Sequence, residues 1–206
     1  MAHETHLGRG YRIFKNKTYV EFKERYQELA KQGQNPQSMV ICCSDSRVSA
    51  EAVFNAEPGD LFVVRNVAGL VPPCEKGGAY HGTSAALEFA VKHLKVENVC
   101  VMGHTNCGGI AAAVSMPEEP GDFIESWVSI IKDRRDEIIA NPEHACKTEA
   151  LEKAAIEESL KNMMTFDFVE KAVAASTLRL VGCLIDIATG ELQTFERDEQ
   201  VWEDFQ

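Results

Sequence analysis

Cys43, His104 and Cys107 are the side chains in this sequence best suited to hold a metal ion. Cys43 begins the run Cys43-Ser44-Asp45-Ser46-Arg47, and His104 and Cys107 stand three apart in Gly103-His104-Thr105-Asn106-Cys107-Gly108-Gly109. Two thiolates and an imidazole make three ligands, whereas zinc takes four in a tetrahedron. A structural site fills every corner with protein, and a catalytic one leaves a corner for water. The three therefore point to an open, hydrolytic zinc site. The glycine pair after Cys107 lets backbone approach an ion closely. Asp45 and Arg47 add a carboxylate that a guanidinium can grip and keep ionised. Beside a metal on Cys43, Asp45 has two roles open to it. It can accept a hydrogen bond from water in the free corner, or fill that corner itself and close the site. The plain alternative is a surface ion pair worth under about 1 kcal/mol.

Ligands so far apart in sequence need a fold to bring them together. Short apolar runs at 38–42, 61–64 and 98–102 read as buried strands. Helical patterns lie between and after them at 49–54, 83–94 and 108–114, the second with Ala86, Leu87, Ala90 and Leu94 on one face. A Gly/Pro-rich loop spans Gly69 to Gly82. This alternation defines an α/β class, a central, mostly parallel sheet flanked by helices. Ligands in such sheets bind beyond the carboxyl ends of the strands. Cys43 and His104 both follow a strand, so the fold and the ligand set support each other.

The flanking segments complete the outline. Tyr19, Phe22, Tyr26 and Leu29 predict a helix over 18–31, with Thr18 as N-cap and Gly33 and Pro36 as the stop. The second half is mostly helical. Helices are expected over 123–139, carrying Trp127, Ile130, Ile131 and Ile138 inward, over 149–164 with Leu151, Ala155, Leu160 and Met163, and over 170–176. A strand at 178–187 then turns through 188–191 into 192–195 as an antiparallel edge. With no linker or repeat, residues 1–206 read as a single domain, about 1–35 forming an N-terminal helical arm.

Composition narrows the function. A net charge of −11 over 206 residues argues against nucleic acid and against an anionic membrane surface. No apolar run reaches membrane-spanning length, and the first eleven residues lack the core of a secretory signal. Seven cysteines, an odd number in a chain too large to need staples, suggest a reducing compartment. We expect a cytoplasmic location, or an organelle stroma or matrix where a transit peptide has been removed. Cys42, Cys100 and Cys183 read as core residues, Cys42 pointing to the opposite face from Cys43.

Several motifs together resemble the beta-class carbonic anhydrases, in their plant-like subgroup. They are Cys43-Ser44-Asp45-Ser46-Arg47, Val63-Val64-Arg65-Asn66-Val67-Ala68, Val71-Pro72-Pro73, His93-Leu94-Lys95-Val96-Glu97-Asn98 and Gly103 through Ile110, with later echoes at 122–125 and 159–162. The likeness runs over nearly the whole chain after Lys15. It implies one Zn2+ per chain on Cys43, His104 and Cys107, and Asp45 and Arg47 as the catalytic pair. The implied reaction is reversible hydration of carbon dioxide to bicarbonate and a proton, making the protein a zinc lyase. Gln34, Phe62, Val67, Phe89 and Gly108 would surround the substrate, Gln34 and the Gly108 N–H donating hydrogen bonds, and His93 matches a suspected proton shuttle. The resemblance also implies a homodimer or higher homo-oligomer whose sites take residues from both chains. The helix at 18–31 is the candidate arm that crosses.

Two departures matter. Phe89 stands where plant relatives usually carry tyrosine, so a hydroxyl is missing. The bicarbonate-inhibited subgroup carries a tryptophan where this chain has Val40, so the open form is expected. Other readings are hydrolysis of carbonyl sulfide or carbon disulfide on the same site, and a non-catalytic zinc or bicarbonate sensor closed by Asp45. A thiol-redox protein using Cys42-Cys43 is disfavoured, because adjacent cysteines form strained disulfides.

Overall fold

In the computed structural model, residues 5–77, 80–115, 121–197 and 199–205 are described. Positions 78 and 79 of the expected Gly/Pro-rich loop lie outside them. Six strands form one sheet in the order β2-β1-β3-β4-β5-β6. The strands are β1 (Ser38–Cys43), β2 (Leu61–Asn66), β3 (Asn98–His104), β4 (Arg179–Ile185), β5 (Leu192–Glu196) and β6 (Val201–Asp204). The first four run parallel and the last two antiparallel. From β1 the chain moves outward to β2 and then returns to the other side for β3, so the direction of winding reverses between β1 and β3. That reversal opens a crevice at their carboxyl ends, where Cys43 and His104 are the terminal residues.

Ten α-helices join the strands among the described residues: α1 (His6–Asn16), α2 (Thr18–Glu21), α3 (Lys23–Gln32), α4 (Ala50–Val53), α5 (Gly82–Glu88), α6 (Gly108–Ser115), α7 (Ile124–Val128), α8 (Lys132–Ala140), α9 (Lys147–Met163) and α10 (Asp167–Ala174). None is long and apolar enough to cross a membrane. The alternation of β1 separates its neighbours cleanly. Met39 and Ile41 join the main core with Val99, Val101, Leu180 and Leu184, whereas Val40 and Cys42 pack on the other face with Cys100, Met102 and Cys183. Cys43 belongs to a third cluster with Cys107, Ala68 and Leu151. Cys42 and Cys43 thus diverge as expected, and Cys100 and Cys183 sit as buried thiols with their sulfurs 3.4 Å apart.

Helix α9 covers the main core because β3 and β4 present glycines to it. A Cβ on Gly103 would come within 2.6 Å of Ile156, and one on Gly182 within 2.8 Å of the same side chain. From this seat Asn162 donates to the Val71 carbonyl and the Ser159 hydroxyl accepts from the Val71 N–H, which ties down the loop after β2.

Several boundaries differ from the sequence reading. The helix expected over 18–31 is interrupted at Phe22 and preceded by α1, which Thr5 caps through a hydrogen bond to Gly8 N–H. Thr18 makes no cap; it is the first residue of α2. The helix over 123–139 is divided by a 3-10 turn at Ser129–Ile131, and the one over 83–94 finishes in a π-turn at Phe89–Leu94. The expected helix at 170–176 lies at Asp167–Ala174. The strand at 178–187 stops at Ile185, where the Asp186 carboxylate accepts from Ala188 and Thr189 N–H and folds the chain back. Gly190 takes φ +78° in that turn. Strand β6 was not anticipated.

Candidate metal centre

β1 and β3 deliver two of the ligands from opposite sides of the crevice. The turn after β3, with Asn106 at φ +56°, then swings Cys107 back toward them. The Cys43, His104 and Cys107 donor atoms lie within 4.8 Å of one another, and all three residues are buried. The two sulfurs are 3.9 Å apart. Thiolates bound to a tetrahedral zinc at about 2.3 Å are separated by about 3.8 Å, so the spacing fits such an ion.

The imidazole supports the same reading. His104 Nδ1 donates to the Thr105 carbonyl at 2.9 Å, which leaves Nε2 as a lone-pair atom. Nε2 is buried and makes no hydrogen bond. A buried polar atom without a partner is costly, and a cation held with the two sulfurs would satisfy it.

The sulfurs also need a cation. A hydrogen bond from Cys107 pushes the Cys43 thiol well down. The same contact, with burial, pushes Cys107 up. Two thiols this close share one proton, and a divalent ion would remove both. Burial works against protonation of His104, yet the nearby Cys43 sulfur and Asp45 outweigh it and raise its pKa.

The backbone around the centre is tightly folded. After β2, Ala68 and Gly69 take φ of +62° and +65°. The Asn66 side chain brackets that turn, donating to the Leu70 carbonyl and accepting from its N–H, both at 2.9 Å. The turn lies against Cys42 and Cys43, where a Cβ on Gly69 would come within 3.2 Å of backbone. Trp127 Nε1 donates to the Val67 carbonyl at 2.8 Å.

Asp45 and Arg47 meet as expected. Arg47 donates from its backbone N and from Nε to Oδ1, each at 2.9 Å, and from Nη2 to Oδ2 at 2.6 Å. Nη2 also reaches the Asn106 carbonyl at 2.9 Å, bridging the two ligand loops. This grip holds the Asp45 carboxyl well below the usual carboxylate range. Asp45 Oδ2 is 3.9 Å from His104 Nε2, so the ionised carboxylate stands beside the centre while engaged by Arg47.

The remaining sequence candidates divide into two groups. Val67 and Gly108 adjoin the centre. A Cβ on Gly109 would come within 2.8 Å of Val67, and the space at Gly108 is open. Phe62, Phe89 and His93 stack together elsewhere, with centroid distances of 5.9 and 5.3 Å. Phe62 pairs with Met39, four positions before Asn66, which pairs with Cys43. At about 3.3 Å per residue this is about 13 Å along the strand. Gln34 is exposed between α3 and β1. Within one chain these four do not line the metal centre.

Two residues had no assigned role in the sequence. Glu152, buried on α9, accepts the Cys107 N–H at 2.9 Å. Arg65 lies within the quoted β2 motif and donates to three backbone carbonyls around Cys43. Their contacts follow from helix packing and strand register, which spacing in the sequence does not reveal.

An α/β protein with a Cys2His group at its winding reversal and an ion-paired carboxylate beside it is the class these features define. Residues 38–192 match the model of the family described as carbonic anhydrase, and the chain belongs to that family, in its beta class. It is 42% identical over 177 residues to beta carbonic anhydrase 5, chloroplastic, of Arabidopsis thaliana, a match covering 82% of this chain and 57% of that relative's length. The beta-carbonic anhydrase CcaA shares the fold with a TM-score of 0.91 at 27% identity, over 100% of this chain and 93% of that one. A Coccomyxa beta-carbonic anhydrase in complex with acetazolamide gives a TM-score of 0.78 at 27% identity, with 93% and 86% covered. A tetrameric beta-carbonic anhydrase of Sordaria macrospora gives 0.74 at 28% identity, with 90% and 95% covered.

Proposed function

We propose that this chain is a zinc enzyme for the reversible hydration of carbon dioxide to bicarbonate, with Cys43, His104 and Cys107 holding one Zn2+. The observation that carries this reading is the convergence of those three donors beside an Asp45 already engaged by Arg47. Zinc would supply Lewis acidity, bringing the pKa of water at the open corner to about 7, a value known from carbonic anhydrase itself.

The chain's own groups then select and orient. Asp45, kept ionised by Arg47, is an acceptor at any physiological pH and turns the attacking water so that its lone pair faces the substrate. Arg47 also holds Asp45 from filling the corner itself, which favours the open form over a closed sensor. Val67 offers an apolar wall to a substrate without charge, and the Gly108 N–H donates where negative charge develops on the substrate oxygen. His93, exposed on α5's π-turn, is suited to pass a proton to solvent.

Phe62, Phe89 and Gln34 complete the pocket from a second copy, which makes the working unit a homodimer or a higher homo-oligomer. The tetrameric Sordaria relative supports assembly of this kind. We take residues 1–206 as one domain, working in the cytoplasm or, as the chloroplastic relative suggests, in an organelle stroma.

The test is metal analysis with stopped-flow hydration. About one zinc per chain and hydration above buffer are expected, and Cys43→Ser should lose both. Zinc-loaded protein that leaves the rate at about pH 8 unchanged would refute the reading, and faster turnover of carbonyl sulfide than of carbon dioxide would redirect it.

A further inference from the structure

Arg65 is on β2 opposite Cys42, at the edge of the sheet beside the strand that ends in Cys43. Its guanidinium reaches over the end of β1 and gathers the carbonyls of the following loop. Nε donates to the Cys43 carbonyl at 3.0 Å, and Nη2 to those of Asp45 and Val48 at 2.6 and 2.7 Å. The Cys43 carbonyl belongs to a proposed metal ligand, the Asp45 carbonyl to the proposed acceptor, and the Val48 carbonyl to the segment leading into α4. One side chain therefore fixes both ends and the middle of the loop that carries the catalytic pair.

The loop needs such a restraint. Asp45 Oδ2 is already 3.9 Å from His104 Nε2, so a modest turn of the backbone would carry the carboxylate from Arg47 into the metal centre. Arg47 resists from the side-chain end, but it belongs to the same loop and would move with it. Arg65 is anchored in the sheet and does not. We propose that Arg65 is a positioning residue that keeps the loop in the conformation where Asp45 faces Arg47 rather than closing the centre. The inference rests on the hydration reading given above. A flat guanidinium can serve three carbonyls in divergent directions, whereas a lysine ammonium offers one point of charge.

The test compares the parent with Arg65→Lys and Arg65→Gln as zinc-loaded and cobalt-substituted proteins. Both variants should keep their metal. Amide hydrogen exchange over residues 44–48 should quicken, and kcat near pH 7 should fall about tenfold to a hundredfold, as for loss of an outer partner at a metal site. KM should change little. The kcat profile should move to higher pH, because carboxylate closure gives way only as the competing water loses its proton more readily. The cobalt absorption bands at pH 7 should shift in step. Coincident pH profiles and cobalt spectra in parent and variants would overturn the proposal. So would failure of both variants to fold, since Arg65 would then serve the fold as a whole. A parent without zinc or hydration activity would instead defeat the enzyme reading, a result separate from these.

Discussion

Glu152 shows how much of the centre depends on a residue that never touches the metal ligands' side chains. It is a carboxylate buried on α9, and its pKa is raised by that burial, with the hydrogen bond from Cys107 N–H working the other way. The bond fixes the start of α6 and so the direction of the Cys107 sulfur. Glu152→Ala would leave that N–H without a partner and open a void, costing about 2–4 kcal/mol of stability. Zinc affinity should fall about tenfold or more, as for other outer partners of metal ligands. Glu152→Gln keeps an acceptor and should lose less than half as much. Urea unfolding of the metal-free protein and competition with a zinc chelator measure the two effects. Parent-like values for Glu152→Ala would mean that the Cys107 turn is held by its own backbone.

At the scale of elements, the contact between α9 and the sheet carries Glu152 to the site. It depends on Gly103 and Gly182, whose places nearest the helix are taken by Ile156 and Leu160. Gly182→Ala should cost about 1–3 kcal/mol through overpacking while leaving the metal centre formed. Gly103→Ala should cost as much and also weaken zinc binding, because Gly103 precedes His104 on the same strand. Calorimetry with zinc titration separates the pair, and equal zinc affinities would show that the strand end adjusts independently of α9.

The strands that place the ligands were legible in the sequence, because β1, β2 and β3 are apolar runs with abrupt polar or glycine ends. The ligand triad and the Asp45–Arg47 pair were legible for a related reason, since each follows such an end. Other features were not. α1 exposes its apolar side chains, so nothing in its pattern forecasts burial, and β6, Val201 to Asp204, is short and half acidic. The division of the helix at 129–131 leaves Ile131 and Ile138 buried, so the apolar spacing gives no sign of it. Arg65 and Glu152 act through register and tertiary packing, information that no local spacing holds.

The whole molecule is unfinished as a single chain. α1, α2 and α3 bury no residue among them, and Leu7, Tyr11, Ile13 and Val20 are 80, 62, 54 and 62% exposed. The arm has an aromatic seam of its own, with Tyr19 and Tyr26 stacked at 5.4 Å and Phe14 edge-on to Tyr26 at 6.0 Å. Its base is clasped to the body, where Arg25 pairs with Asp60 and donates to the Pro58 carbonyl at 2.6 Å. An arm anchored at one end, internally ordered and apolar outside, is built to lie on another surface. A second copy is the partner that also resolves the incomplete pocket, because Phe62, Phe89 and Gln34 lie away from the metal centre of their own chain. Sedimentation should therefore find a dimer or larger assembly at micromolar concentration. The triple change Leu7→Ser, Tyr11→Ser and Ile13→Ser should shift it toward monomer. Since no buried contact is lost within the chain, the melting of the monomer should change little, yet hydration should fall with the fraction of assembled protein. Zinc content should stay the same, because all three ligands come from one chain. If the monomeric variant hydrates carbon dioxide as fast as the parent, the pocket is complete within one copy and the arm serves only to assemble.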